Sequence, residues 1–262
     1  MNINLEGKSA LVGGSSRGIG LAIARQLAES GASVTLMARS EEKLRSIVAS
    51  LKVASPAQKH QYLVVDFNDF NRYSEIIREY FSHNKVDILV NNTQGPKAGT
   101  PMEKKVEDYQ EAFDVLFKSV VLTTHLALEH MRSQRWGRII NVASVSVKEP
   151  LSYLVLSNSI RAAVVAWAKS LATEVGPDQV TVNNILTGYF DTERLEELNR
   201  KKAEQQNIKP EEVRDHMTDS VPLRRLGKPE EYGYLAAFLA SDRAAYITGS
   251  NFPIDGGLLR SL

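Results

Sequence analysis

The chain has 262 residues, 43% of them hydrophobic and 24% charged, and its 32 basic and 31 acidic side chains give a formal net charge of +1. Such a composition is ordinary for a folded globular domain, and the charge gives no electrostatic reason to expect a nucleic acid or an anionic membrane as a partner. The absence of cysteine excludes disulfides and thiolate catalysis. The five histidines form no compact set with acidic residues, so no metal site is expected.

The sequence also bears on location. The first residues, MNINLEGKSALVGG, lack the basic start and the long apolar run of a secretory signal. The longest apolar runs, such as AAVVAWA, fall well short of the roughly 18 residues that indicate a membrane span. We therefore expect a cytoplasmic protein.

Short β-branched runs alternate with segments of helical period along the chain. In order, the pattern predicts strand KSALVG, helix 18–30, strand SVTLM, helix 41–51, strand QYLVV, helix 69–82, strand VDILVNN, helix 103–132, strand RIINVAS, helix 156–175 and strand VTVNNIL. Such alternation is typical of parallel βαβ units. The expected fold is therefore α/β, with one doubly wound parallel sheet of the Rossmann type in a single domain over residues 1–262.

One segment, 191–217, differs from this pattern. It is rich in charged residues, has helical character and is interrupted by Pro210 before a second short helix. We interpret it as an insertion, not a domain. It is either a solvated helical excursion or a lid over a site, because long connections in compact domains are often functional.

A glycine-rich loop, LVGGSSRGIG, follows the first predicted strand and opens the first predicted helix. Gly14, Gly18 and Gly20 have the spacing Gly-x-x-x-Gly-x-Gly. A dinucleotide site needs a tight turn, close backbone approach to the pyrophosphate, and phosphates at a helix N-terminus. The setting of strand, turn and helix therefore predicts dinucleotide binding, more strongly than the glycines would alone.

The end of the second predicted strand indicates which dinucleotide binds. An NAD site carries an acidic residue about 20 positions after the glycines, where it holds the adenosine ribose. This chain has Ala38 followed by Arg39 at that place, and Arg17 lies inside the glycine loop. Because a guanidinium binds phosphate whereas a carboxylate repels it, these residues predict NADP as the cofactor.

The glycine loop and four later motifs resemble those of the short-chain dehydrogenase/reductase family. The later motifs are VVDF at 64–67, LVNN at 89–92, GRIINVAS at 137–144 and YITGSNFPIDGG at 246–257. The similarity covers nearly the whole chain and is greatest to 3-oxoacyl-(acyl carrier protein) reductases, particularly through PLRRLGKPEEYGYLAAFLASDRAAYITG. It implies an oxidoreductase with a small-molecule substrate.

The resemblance also implies roles for individual residues. Asp66 would bind the adenine amine, Asn91 would lie beside the adenosine ribose, and Thr192 would reach the nicotinamide carboxamide. With the loop and the arginines, the implied cofactor-binding set is Gly14, Ser16, Arg17, Gly18, Ile19, Gly20, Arg39, Asp66, Phe67, Asn91, Arg161 and Thr192. Two positions depart from the family pattern, with Gly13 where threonine is usual and Thr187 where proline is usual.

The family's catalytic set is asparagine, serine, tyrosine and lysine, and only the serine, Ser144, remains in this chain. Counting 13 residues on from Ser144 places the tyrosine position at Ser157 and the lysine position at Arg161. Leu116 stands at the asparagine position. The Tyr-x-x-x-Lys pair is thus absent, and the candidate catalytic residues are Ser144, Ser157 and Arg161.

These substitutions affect proton transfer more than cofactor binding. In the family, the tyrosine protonates the forming alkoxide, and Ser157 is a far weaker acid than a phenol. Arg161 is able to hold ribose hydroxyls and to supply a positive field, but it does not readily give up its proton at neutral pH. Other candidate proton donors are Tyr153, if its helix extends back that far, Tyr189 and His216.

The sequence leaves two functions open. The first is an NADP-dependent oxidoreductase that acts on a carbonyl or alcohol with a non-standard proton donor, and it is favoured because Ser144 and the cofactor loop remain. The second is a catalytically silent NADP-binding protein with a sensing or scaffold role. The apolar segment IRAAVVAWAKSLA and the resemblance further predict a homo-oligomer, a dimer or tetramer, paired through helices 103–132 and 156–175.

Overall fold

A computed structural model describes residues 3–261, without the side chain of Gln205. Across these residues, seven parallel strands form one sheet in the order β3-β2-β1-β4-β5-β6-β7. The strands are β1 (Ser9–Gly13), β2 (Ser33–Ala38), β3 (Gln61–Val64), β4 (Ile88–Asn91), β5 (Gly137–Val142), β6 (Val180–Thr187) and β7 (Asn251–Ile254). The predicted doubly wound α/β fold is confirmed.

Helices connect the strands and cover both faces of the sheet. They are α1 (Gly18–Glu29), α2 (Glu41–Ser50), α3 (Phe70–His83), α4 (Val106–Phe113), α5 (Ser119–Ser133), α6 (Val155–Val175), α7 (Glu193–Gln206), α8 (Pro210–Ser220) and α9 (Pro229–Ala240). None of the helices within residues 3–261 is long and apolar enough to cross a membrane.

The core has two parts because successive side chains of a strand point to opposite faces of the sheet. On β1, Val12 belongs to one buried cluster with residues of α1 and α9, whereas its neighbour Leu11 belongs to the other. Both leucine and valine are fully buried. Parallel strands covered on both faces read as continuous apolar runs, which is why the sequence revealed them.

The strand order reverses between β1 and β4. From β1 the chain proceeds outward to β3, and from β4 it proceeds outward in the other direction to β7. In open α/β sheets, ligands bind beyond the carboxyl ends of the strands at such a reversal. The fold therefore places a binding crevice next to Gly13 and Asn91, where β1 and β4 end.

A row of asparagine amides, buried except for the exposed Asn251 at the start of β7, joins four neighbouring strands. Asn91 donates to Asn141, Asn141 to Asn184, and Asn184 to Asn251, each over 2.8 Å. The same residues are paired in the strand registers. Because buried amides are costly unless they are hydrogen-bonded, this row favours a single register near the crevice.

The structure corrects the expected helix over 103–132 and confirms the helical character of the segment 191–217. The predicted helix over 103–132 begins at Val106 and contains a π-helical segment, Asp114–Lys118, between α4 and α5. The segment 191–217 forms α7 and α8, and Pro210 is the first residue of α8. A lid role for these two helices stays a prediction.

Candidate active site

The glycine loop adopts a conformation that side chains would obstruct. Gly14 and Gly18 have φ angles of 54° and 55°, in the left-handed region that favours glycine. A Cβ atom at Gly20 would overlap the carbonyl oxygen of Gly14. The loop ends where α1 begins, and no side chain caps this helix N-terminus. The first-turn N–H groups are therefore available to an anion.

Two residues that sequence reasoning missed hold this loop. The Asn92 side chain donates to the carbonyl oxygen of Gly13 over 2.9 Å. A Cβ atom at Gly13 would overlap the backbone carbonyl of Asn92, so the approach of the two strands requires glycine where the family usually has threonine. The Ser15 hydroxyl, fully buried, accepts from the backbone N–H of Met37 over 2.9 Å. The sequence signal for Asn92 was its place at the end of the predicted strand VDILVNN.

The two arginines predicted to bind the 2′-phosphate have different surroundings. Arg39 is exposed at the end of β2 and forms no ion pair with a described residue. Arg17 forms ion pairs with Glu193 over 2.8 Å and with Glu197 over 3.1 Å. Its hydrogen bond with Glu193 raises the pKa of Arg17. The Arg17 guanidinium therefore stays charged, and of the two arginines only Arg39 is without a carboxylate partner.

The residues predicted near the adenosine also occupy different environments. Asp66 is exposed just beyond β3 and accepts hydrogen bonds from the backbone and side chain of Asn68. Phe67 is buried, with its ring centroid 5.0 Å from that of Tyr73. Asn91 is buried, and its side chain donates to Thr124 and to the amide row. The Asn91 amide nitrogen is therefore engaged by Thr124 of α5 and Asn141 of β5, and the role of Asn91 beside a ribose stays a prediction.

Ser144 lies two residues beyond the end of β5 and is half-buried. Its Oγ accepts a hydrogen bond from the backbone N–H of Ser146 over 3.1 Å. This bond fixes the hydroxyl oxygen and uses one of its lone pairs, while the hydroxyl proton stays available to a substrate oxygen. Ser144 is therefore oriented as a hydrogen-bond donor.

Ser157 and Arg161 lie one turn apart in α6. No hydrogen bond involves the Ser157 hydroxyl among the described residues. The Arg161 guanidinium donates through Nη1 to the carbonyl oxygen of Val142, the last residue of β5. Burial lowers the pKa of Arg161, although a guanidinium remains protonated at neutral pH. The structure thus brings a permanent positive charge to the strand end that precedes Ser144.

Leu116 lies inside the π-helical segment and is buried in the core cluster that includes Leu89 and Ile139. A leucine side chain offers no hydrogen bond, so this position contributes packing. Single π-helical turns often occur at functional sites. Here the backbone irregularity is present, but the side chain at its centre is apolar.

A polar group beside Arg161 was missed by sequence reasoning. The hydroxyl oxygen of Tyr232, on α9, lies 3.1 Å from that of Thr187, the last residue of β6. Tyr232 is fully buried. Burial raises its pKa well above the usual range, and the positive charge of Arg161 opposes that rise. No local signal marked Tyr232, because it lies 45 residues from Thr187 in the sequence.

Of the other candidate proton donors, two tyrosines lie close together and the histidine is exposed on α8. Helix α6 begins at Val155, and Tyr153 lies in the turn before it, so the expected helical alignment of Tyr153 with Ser157 is wrong. Burial first, and then the neighbouring Tyr189, raise the pKa of Tyr153 to about 12. Burial also raises the pKa of Tyr189. His216 is exposed on α8. The two tyrosines therefore lie near each other and stay protonated at neutral pH.

Thr192 caps α7 and contacts the glycine loop. Its hydroxyl accepts from the backbone N–H of Leu195 over 3.3 Å. A Cβ atom at Gly18 would lie 3.4 Å from the Thr192 methyl carbon. The start of α7 thus lies against the loop that forms the phosphate cradle.

The described residues fit a phosphorylated dinucleotide. The glycine loop packs so closely that Cβ atoms at Gly13 and Gly20 would overlap backbone atoms, α1 presents uncapped N–H groups, and Arg39 supplies a cation at the end of β2. Among the described residues, no group of three or more histidine, aspartate or glutamate side chains is arranged to hold a metal ion.

Comparison with known proteins identifies the family. A family model described as enoyl-(acyl carrier protein) reductase matches residues 14–259. The chain belongs to the short-chain dehydrogenase/reductase family of oxidoreductases, as its motifs predict. It resembles the 3-oxoacyl-(acyl carrier protein) reductase FabG of Chlamydia pneumoniae, with 32% identity over 98% of this chain and 99% of that protein.

Other relatives cover the chain equally well. The NADPH-dependent reductase BacG of Bacillus subtilis is 28% identical over 97% of this chain and 99% of that protein. The crystal structure of L-sorbose reductase from Gluconobacter frateurii, complexed with NADPH and L-sorbose, superposes with a TM-score of 0.91 at 32% identity, covering 100% of both chains. The fold is thus shared along the full length.

Proposed function

We propose that the protein is an NADP-dependent oxidoreductase that interconverts a carbonyl and an alcohol, with a proton donor other than residue 157. The observation that carries this proposal is the orientation of Ser144, whose oxygen is held by Ser146 while its proton is available to a substrate oxygen. Arg161 adds a fixed positive charge near the same strand end. A hydrogen-bond donor and a cation are the groups that stabilise a developing oxyanion.

The cofactor supplies the reducing chemistry. When bound, NADPH would supply the hydride for the carbonyl carbon, and the protein's own residues would bind the cofactor, orient the substrate and provide the proton. The exposed Arg39 and the glycine cradle support a cofactor with a 2′-phosphate. Relatives described as NADPH-dependent or complexed with NADPH support the same cofactor.

The proton has to come from a group that is still protonated when the alkoxide forms. None of the nine tyrosines is followed by a lysine four residues later. Tyr153 and Tyr189 are neutral phenols near the start of α6, and the raised pKa of Tyr153, about 12, keeps its proton in place until a strongly basic alkoxide appears. We propose that this tyrosine pair replaces the missing phenol at Ser157.

Steady NADPH oxidation tests this proposal with a panel of ketones, ketoses, aldehydes and 3-oxoacyl thioesters. We expect turnover with at least one carbonyl class, and a fall of about 10²-fold or more in Tyr153→Phe or Tyr189→Phe with NADPH affinity unchanged. Tyr246→Phe, which changes a fully exposed tyrosine, is the matched control. Full activity in both Tyr153→Phe and Tyr189→Phe would exclude the tyrosine pair as proton donors.

A silent NADP-binding protein is the second candidate, and one observation favours it. Leu116 fills the centre of the π-helical segment with a buried apolar side chain, so this position has no polar group to support a proton relay. On this alternative, NADPH binds with micromolar or better affinity, while the whole panel gives no oxidation above the rate without protein.

We also propose that the protein assembles as a homo-oligomer through the α5 and α6 helices. A groove of about 530 Å³ lies between them, lined by His125, Leu128, Arg132, Trp167, Leu171 and other side chains of the two helices. Trp167 is only partly buried. Light scattering should return a dimer or tetramer of the 29.1 kDa chain, and Trp167→Glu should shift it toward the monomer. A wild-type monomer at micromolar concentration would contradict the proposal.

A further inference from the structure

The Arg17 cluster consists of Arg17 in the glycine loop and Glu193 and Glu197 of α7. One guanidinium nitrogen, Nη1, contacts both carboxylates, at 2.8 Å and 3.1 Å. Glu193 and Glu197 are four residues apart, so they share one face of the helix. The cluster joins the phosphate cradle to a helix nearly 180 residues further along the chain.

The same helix also approaches the cradle through its first turn. Thr192, which caps α7, lies against Gly18. Arg194 holds the neighbouring loop by donating to the carbonyl oxygen of Pro96 over 3.4 Å. Two carboxylates and a packed threonine therefore stand beside the backbone that has to receive the cofactor phosphates.

A phosphate and these carboxylates are alternative partners for one guanidinium. A 2′-phosphate carries up to two negative charges and accepts bidentate hydrogen bonds from arginine. All three side chains of the cluster are substantially exposed, at 44% for Arg17, 63% for Glu193 and 36% for Glu197. Exposed ion pairs contribute little to stability, so a phosphate is able to displace them. Once Arg17 has moved to the phosphate, the carboxylates of Glu193 and Glu197 have lost their cation and lie near the negatively charged phosphate.

We propose that Glu193 and Glu197 compete with the 2′-phosphate of NADP for Arg17, so that NADP, but not NAD, releases α7 from the glycine loop. This inference rests on the proposed NADP cofactor and makes the two glutamates determinants of cofactor specificity. Their effect is to reduce the preference for NADPH over NADH, because only NADPH binding has to break the ion pairs. The competition also couples binding of the cofactor's 2′-phosphate to the position of α7.

Cofactor titration of a double variant tests the competition. Glu193→Gln with Glu197→Gln should tighten NADPH binding by about 3- to 10-fold at low salt, and should leave NADH affinity within about twofold. The matched control is Glu196→Gln with Glu204→Gln, which removes two exposed charges from the same helix without touching Arg17. Both cofactors should bind the control as they bind the wild type.

Hydrogen exchange of the wild-type protein provides the second readout. NADPH should raise amide exchange over 193–206, and NADH at an equally saturating concentration should not. If NADPH binds but the double variant has unchanged affinity and α7 exchange does not rise, the competition is overturned while the proposed function stands. If NADPH does not bind at all, both are overturned.

Discussion

The hydroxyl oxygens of Thr187 and Tyr232 lie 3.1 Å apart, between the end of β6 and the buried face of α9. The Tyr232 hydroxyl also lies 3.4 Å from the carbonyl oxygen of Ile185, to which it donates. Its ring meets that of Phe190 edge-on, with centroids 5.3 Å apart. Thr187 thus does at the end of β6 what the family's usual proline is unable to do, because it satisfies a buried phenol.

This pair should be visible as coupled stability. Tyr232→Phe and Thr187→Val should each lower the free energy of unfolding by about 1 kcal/mol, because each removes the hydrogen bond between the two hydroxyls. In the double variant the losses should not add, with a coupling of about 0.5 kcal/mol or more. Urea denaturation of the four proteins measures this cycle. Additive losses would show that the two hydroxyls do not interact.

The fold is predictable from the sequence where the signal is local. Buried parallel strands such as β5 read as continuous apolar runs, and the glycine loop needs only the order of strand, turn and helix. Strand β7 escaped because it is a four-residue edge strand that contains Pro253. The π-helical segment escaped because its apolar spacing is close to that of an α-helix.

The site is predictable only in part, for a physical reason. Gly14, Arg39 and Ser144 are each marked by their own neighbours in sequence. The Arg17 cluster and the pair of Thr187 with Tyr232 depend on tertiary contacts across 176 and 45 residues. The charge-rich sequence of α7 predicts a solvated helix. Nothing in that sequence shows with which arginine its carboxylates form ion pairs.

Arg39 should set the preference between the two cofactors. It is exposed at the end of β2 without a carboxylate partner, so its loss removes attraction for the 2′-phosphate and leaves the dinucleotide cradle intact. Arg39→Ala should weaken NADPH binding by about 10-fold and change NADH binding little. Fluorescence titration measures both affinities. Equal affinity of the unmodified protein for the two cofactors would refute NADP preference.

Arg161 should matter for cofactor binding as well as turnover. Its guanidinium is fixed to β5 by the hydrogen bond to Val142, and a positive charge at this place suits a ribose and a developing oxyanion. Arg161→Ala should therefore weaken NADPH binding about 10-fold and reduce turnover further. Arg161→Lys, which keeps the charge, should recover most of the affinity. Unchanged NADPH binding in Arg161→Ala would place the ribose elsewhere.

Asp87 should govern stability in acid. Burial alone would raise the pKa of Asp87, but hydrogen bonds from Gln134 and Ser9 outweigh this effect and hold the pKa below its ordinary value of 3.8. A depressed pKa gives stability that is present above the unfolded value and is lost as pH falls through the folded value. Lys8 and His130 also face this carboxylate.

Asp87→Asn should accordingly lower the free energy of unfolding at pH 7 by about 1–3 kcal/mol and flatten its decline below pH 4. Asp215→Asn, at an exposed position of α8, is the control. Denaturant unfolding from pH 3 to pH 7 measures both. If the free energy of unfolding of Asp87→Asn fell below pH 4 as steeply as that of the wild type, the acid sensitivity would have to come from other carboxylates.

The central claim is that a short-chain dehydrogenase/reductase site works here without an acid at position 157. With one identified substrate, kcat/KM of Ser157→Ala should stay within about 10-fold of the wild type, because we propose that the proton comes from a group other than the Ser157 hydroxyl, whereas Ser144→Ala should lose about 10²-fold or more. A loss above about 10²-fold in Ser157→Ala, with fold and NADPH affinity intact, would contradict the account.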